Sequence, residues 1–200
     1  MSAGAGRAAS LFALVLALGA CAAARVPMSE FSLAPPLPPA AAPATVEPGV
    51  LGVEPIEAAP GYDTSAMLYI ARPLELGRFA AHRWVDTPAR MLLGPLVESL
   101  AARGRWQAVV ALPAIARVQW RLRLSGLRLQ QEVDTAPGQI RLGVRAEIAD
   151  AATRRLAGAR TFEVVEPLGD DGPDHGAAAA NRAAARLFDD IGAWAAGVVP

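Results

Sequence analysis

The sequence predicts an α+β domain: a mixed or antiparallel sheet of about five to six strands, covered by two main helices, placed after a signal peptide and a Pro/Ala-rich tether. Three observations predict it. Residues 118–165 carry three runs in which apolar and polar residues alternate, the period-two pattern of strands with one wet face. Near the C-terminus, Ala177, Ala180, Ala184, Leu187, Ile191, Trp194 and Val198 recur at three- and four-residue steps, the apolar stripe of a helix laid on a sheet. Between them in character, residues 62–110 read as strand, short strand, helix and strand.

Length and composition narrow the function. Two hundred residues allow one domain with tails, or at most two small domains. Much of the 53% hydrophobic content is alanine, which buries little surface, so the core must rest on Leu, Val, Ile, Phe and Trp. All 19 basic residues are arginine and they match 19 acidic residues, so no basic excess points to nucleic acid. The single cysteine excludes an internal disulfide and a multi-cysteine metal site.

Residues 1–20 have the form of a secretory signal, with Arg7 as the positive start and an apolar core from Leu11 to Leu18 that is too short to span a bilayer. The core closes on Leu18-Gly19-Ala20-Cys21, which resembles a bacterial lipobox. There the Cys21 thiol accepts a diacylglyceryl group and acyl chains hold the mature protein to a membrane. An ordinary signal peptide with a chance cysteine is the alternative; Cys21 being the only cysteine favours the lipid anchor. Ala22 in place of aspartate leans, by analogy, toward the outer membrane. Loss of Arg7 leaves 18 basic against 19 acidic residues, so steering to an anionic surface is not expected.

Residues 21–48 form the lipidated cysteine and tether. The run Ala34-Pro35-Pro36-Leu37-Pro38-Pro39 favours extended polyproline geometry. Phe31-Ser32-Leu33 interrupts it as a candidate ordered edge segment. The folded domain is expected over 49–200. Gly49 to Ile56 is its first strand, which Pro55 and Pro60 place at an edge or end early. Met67 to Tyr69 and Phe79 to Val85 are strands parted at Pro73. Thr87 and Pro88 suit the cap and first position of a helix. Its Met91, Leu92, Leu96 and Leu100 share a face, and Arg103-Gly104 ends it. Pro95 should kink that helix. Trp106 to Leu112 reads as a buried strand. Val118, Trp120, Leu122 and Leu124 face inward; Gly126 shifts the phase, so Leu127, Leu129 and Val133 follow a bulge. Ile140, Leu142, Val144, Ala146 and Ile148 form the next strand, and Phe162 and Val164 face inward on the last. Residues 169–174 are a polar loop holding His175 at its end, with Asp174 or a neighbour capping the final helix.

No catalytic constellation emerges, and the protein is expected not to be an enzyme. His82 and His175 are far apart in sequence. Asp170, Asp171, Asp174 and His175 suit a solvated turn better than a metal site. Asp189-Asp190 reads as a wet helix face, Ser99 and Ser125 lack a G-x-S-x-G setting, and without lysine no phosphate-binding loop of the G-x-x-x-x-G-K-[ST] kind exists. No cofactor and no metal ligand are expected. Tyr62, Tyr69, Trp84 and Pro88 are candidates for either a partner interface or the core; for Trp84 the core is favoured.

The run Y-D-T-S-A-M-L-Y from Tyr62, followed by R-W-V-D-T-P-A-R-M-L from Arg83, resembles the ABC-type transport auxiliary lipoprotein family. W-R-L-R-L-S-G, R-L-A-G-A-R-T-F and the Ala-rich final helix ending in W-A add to the resemblance, which runs from the lipobox to that helix. It implies a non-catalytic lipoprotein of the periplasm that accompanies an Mce-domain protein, an ABC permease and an ATPase on separate chains in moving phospholipids or sterol-like lipids between membranes, with a homo-oligomer as a further implication. Only Cys21 carries over with a defined chemical role. Two other classes use an anchor, a tether and a small domain: a lipoprotein activator of a cell-wall synthase, and an assembly partner of an outer-membrane β-barrel.

Overall fold

The computed structural model describes residues 27–40, 49–169 and 172–199. The signal segment, Cys21, much of the tether, and Asp170 and Asp171 of the polar loop lie outside the described residues. The chain order is β1 (Ser29–Phe31), β2 (Val50–Val53), β3 (Ala66–Arg72), β4 (Glu75–Trp84), α1 (Pro88–Ala102), β5 (Ala108–Ala111), β6 (Trp120–Glu132), β7 (Gln139–Asp150), β8 (Leu156–Pro167) and α2 (Pro173–Val198). The class is α+β as expected, with eight strands in one open mixed sheet rather than five or six.

The sheet is organised around β6. One edge pairs along its length with β7, and β7 with β8, both antiparallel, giving the expected meander. The other edge is shared. β2 runs parallel to the first residues of β6 (Leu51 opposite Trp120), and β3 runs parallel to the last (Tyr69 opposite Gln131). Between them residues 54–59 track β6 irregularly. The amides of Glu54, Glu57 and Ala59 donate to the carbonyls of Leu122, Leu124 and Leu127. β5 extends the sheet beyond β2, and β4 then β1 extend it beyond β3.

Period-two patterning sets the two faces. Leu122, Leu124, Leu142, Val144, Ile148, Phe162 and Val164 are buried on the inner face. The bulge falls at Gly126, whose φ of 66° favours glycine, and after it Leu127 and Leu129 return to the core. α2 lies over β7 and β8 with Ala180, Ala184, Leu187, Phe188 and Ile191 buried. Alanine on this stripe lets the helix approach the sheet closely, and Trp194 meets Phe162 edge to face at 5.6 Å. α1 buries Leu92, Leu96 and Leu100.

Several local expectations are corrected. β2 takes the second of its two expected outcomes: it is an interior strand between β5 and β6, not an edge, and it ends early, at Val53, so Pro55 never has to donate within it. β5 is a half-exposed edge strand because it pairs only with β2; the buried side chain of its neighbourhood is Trp106, ahead of it. Val133 lies beyond the end of β6 and is exposed. α1 remains one helix from Pro88 to Ala102 with Pro95 inside it. Thr87 occupies the cap position, yet its hydroxyl makes no cap bond and is buried without a partner. α2 starts at Pro173 with Gly172 as its cap residue, so Asp174 and His175 belong to its first turn.

The proline-rich stretch also contributes to the fold. β1 pairs in parallel with β4, Ser29 opposite His82 and Phe31 opposite Trp84, and Leu33 is buried. Asn181 of α2 fastens the residues beyond β1: its Oδ1 accepts from the Ala34 amide at 2.6 Å and its Nδ2 donates to the Ser32 carbonyl at 3.1 Å. Residues 29–35 are therefore part of the domain, not tether.

Candidate interaction face

With both helices on the inner side, the outer face of β6, β7 and β8 is open to solvent. Its residues alternate with the buried ones: Arg121, Arg123, Arg128 and Gln130 on β6, Arg141, Arg145 and Glu147 on β7, Thr161 and Glu163 on β8. The arginines are held by acids. Arg121 meets Glu54 at 3.4 Å, Arg123 meets Glu57 at 3.0 Å and Arg145 meets Glu147 at 3.0 Å. Such exposed pairs contribute about 0–1 kcal/mol each. The first two hold the 54–59 segment against β6, and together the three give the face a mixed-charge lattice. Arg128 has no acidic partner among the described residues.

The most ordered part of this face centres on Glu132, at the end of β6. Its carboxylate is largely buried and accepts from Arg141 Nε at 2.6 Å, Arg141 Nη2 at 3.1 Å, Gln139 Nε2 at 2.7 Å and Gln130 Nε2 at 3.2 Å. The Arg141 bond holds its carboxyl below the usual carboxylate range, against the opposing effect of burial; Gln139 and Gln130 add to the lowering. Arg141 reaches on to Glu163 of β8 at 2.5 Å, and its own affinity for its proton is raised, first by the Glu132 bond. The Tyr62 hydroxyl closes the chain by donating to Gln130 Oε1. Burial pushes the Tyr62 phenol above its ordinary value. A groove of about 510 Å³ lies beside this network, lined by Tyr62, Arg128, Gln130, Arg141, Arg145 and Glu163 among others.

A second groove, of about 590 Å³, opens at the other end of the same sheet. The loop after β5 forms it with Leu112, Pro113, Ala114 and Arg117, facing Glu54, Arg121 and the β7–β8 turn. Ile115 at the tip of that loop is fully exposed.

The sequence-derived candidates do not converge on one site. Tyr62 joins the outer face. Tyr69 belongs to an aromatic row on the outlying strands: its ring packs on Phe79 at 4.9 Å and covers Gly77, while His82 bridges Phe79 and Phe31 at 6.2 and 6.1 Å. Trp84 is 3% exposed at the end of β4, and Pro88 is buried at the first position of α1. Cys21 lies outside the described residues. Sequence reasoning missed Glu132, Arg141, Gln130 and Gln139. A signal existed: the polar run Gln130-Gln131-Glu132 at the end of an alternating strand, with Arg141 near the start of the following one.

The fold and the outer face define a small α+β domain that presents a broad, polar sheet surface. The chain belongs to the ABC-type transport auxiliary lipoprotein component family, whose model matches residues 31–192. It is similar in structure to protein XCC0632 from Xanthomonas campestris, of family DUF330, with a TM-score of 0.75 at 20% identity over 85% of this chain and 95% of that one. An uncharacterized protein matches with a TM-score of 0.67 at 14% identity, over 85% and 99%. The hypothetical protein CT253 from Chlamydia trachomatis matches with a TM-score of 0.51 at 11% identity, over 76% and 97%. These likenesses concern the fold. A search of curated proteins finds no sequence match.

Proposed function

We propose that this protein is a non-catalytic lipoprotein, anchored through Cys21 at the periplasmic face of a membrane, the outer membrane by preference, and that it serves an Mce-type ABC system moving lipids between membranes. The family match over residues 31–192 carries the reading. The lipobox ahead of that region supplies the anchor, and no helix among the described residues is long and apolar enough to cross a membrane instead. The charge lattice and two shallow grooves suit contact with another protein surface; an exposed polar rim of this kind governs specificity and approach more than affinity. Its partners are then an Mce-domain protein, a permease and an ATPase.

The test is a pull-down of the C-terminally tagged chain from detergent-solubilised membranes, with proteins and lipids identified by mass spectrometry. Recovery of an Mce-domain protein with permease and ATPase is expected. Recovery of a penicillin-binding protein or of a lone β-barrel would replace this reading by a cell-wall or barrel-assembly role. A Cys21→Ser chain is expected to leave the membrane fraction.

A further inference from the structure

The most unusual residue of the surface is Leu74, at the tip of the β3–β4 hairpin. It is fully exposed, at 105% of its reference area, and its φ is 67°. A leucine in the left-handed region costs roughly 1–2 kcal/mol, and glycine or asparagine would sit there more easily. Nothing within the described domain offsets either the strain or the exposure. The side chain therefore answers to something outside the domain.

The direction of β1 says what that is. β1 runs parallel to β4, so the chain ahead of Ser29 leads toward the start of β4, which is the hairpin tip. Ser29 lies opposite His82. Cys21 is eight residues before Ser29, and Leu74 is eight residues before His82. At about 3.3 Å per residue, eight residues of chain span at most roughly 26 Å; β4 bulges against β3 between Arg78 and Arg83, so the rise from His82 to Leu74 is shorter, about 20 Å. Cys21 is thus within reach of the level of Leu74. Val133, exposed and apolar, lies on this same side, where its amide donates to the Ile70 carbonyl of β3. Arg78 and Arg72, the latter paired with Glu75 at 3.1 Å, are exposed on the two hairpin strands, where their charged heads can stay at headgroup level while the apolar tip sits deeper.

We infer that the β3–β4 hairpin is the membrane-facing end of the domain, and that Leu74 enters the bilayer interface beside the acylated Cys21. This rests on the lipid-anchor reading of Cys21. A single leucine adds little affinity, but next to an acyl anchor it fixes orientation: the sheet stands on the membrane with β6 pointing toward it. The opposite end, with Ile115 and the larger groove, lies on the order of 40 Å away along the thirteen residues of β6 and the hairpin beyond it, and faces outward to partners.

The experiment uses the full acylated chain in vesicles of phosphatidylethanolamine and phosphatidylglycerol. Thioether formation blocks Cys21, so a polarity-sensitive fluorophore attaches only to a new cysteine, at Leu74→Cys or at Ile115→Cys. Both positions are fully exposed, so neither variant threatens folding. At position 74 the emission is expected to shift blue and to be mostly lost to lipids spin-labelled near the headgroup. At position 115 neither change is expected. Vesicle-bound protein with position 74 unquenched, or with position 115 quenched instead, overturns the orientation and leaves the anchor standing. A chain whose mass lacks the diacylglyceryl group and which the vesicles do not retain overturns the anchor, and the orientation with it.

Discussion

Replacing Glu132 by alanine removes the acceptor of four hydrogen bonds, two of them from Arg141. The residue is 9% exposed, so its donors lose a partner in a place water reaches poorly. Removing one member of a fully buried ion pair costs about 3–5 kcal/mol. Here Arg141 keeps Glu163 and is one-third exposed, which lowers the figure. Gln130 and Gln139 each forfeit a charge-assisted bond, whose net value is about 1.5–3 kcal/mol when intact. The balance is a destabilisation of about 2–3 kcal/mol for Glu132→Ala and about half that for Glu132→Gln, which keeps the shape but not the charge. Urea unfolding at neutral pH measures it: with a slope near 2 kcal/mol/M, the alanine variant should unfold about 1 M earlier. The sign of the pH dependence is set by the same bonds. The folded-state carboxyl of Glu132 titrates below its unfolded value, so its contribution is complete above about pH 4.3 and disappears as pH falls through the folded value. The gap between wild type and Glu132→Gln should therefore close in acid. A Glu132→Ala variant within about 0.5 kcal/mol of wild type at neutral pH, the scale of ordinary surface changes, would refute the role given to this network.

Trp84→Ala should cost about 3–5 kcal/mol by emptying a core site, while Trp84→Phe should retain the fold and the partner pull-down; loss of the partner with unchanged stability would make Trp84 an interface residue instead. Asn181→Ala should speed hydrogen exchange at the Ala34 amide while β7 amides stay protected; equal protection at Ala34 would mean that Asn181 does not fasten the 32–34 segment. Gly77→Ala places a methyl group against the Tyr69 ring, which must swing off the strand, at about 1 kcal/mol or a Tm loss of about 2–4 °C; an unchanged Tm would show the ring free to move at no cost. Arg182→Ala should weaken the hold on Glu166, whose carboxyl Arg182 and then Arg186 keep below the usual range; stability lost on this change should be present near neutrality and absent in strong acid.

How much of this was legible depends on how local the causes were. The meander announced itself because β6, β7 and the second half of β8 bury one face and wet the other, so period two was written into residues 122–129, 140–148 and 162–164. The bulge was legible because only a phase shift at Gly126 lets Leu124 and Leu127 both face the core. Strand pairing between distant segments leaves no such trace. β1 is three residues long and its pairing with β4 is fixed by register, by the Glu30–Arg83 ion pair and by Asn181, none of which shows in the composition of a proline-rich stretch. The Glu132 network was hidden for the same reason: its members come from three strands and a loop, and only the antiparallel registers of β6 with β7 and of β7 with β8 gather them.

The most instructive case is the free edge of β6 between β2 and β3. A sequence with Pro55 and Pro60 argues against a strand, and no regular strand forms there. Yet an uncovered stretch at the middle of the longest strand would expose unpaired backbone groups to any passing edge. The segment resolves this by using only the donors it has. The amides of Glu54, Glu57 and Ala59 bond to β6, Leu127 donates back to the Glu57 carbonyl, and both prolines fall at positions that owe β6 no donor. Arg121 and Arg123 then clamp Glu54 and Glu57 from the outer face. The prolines that correctly forbid a strand thereby permit a cover. That cover also resists further strand addition, which directs any partner to the open face or the outer edge strands β1, β5 and β8.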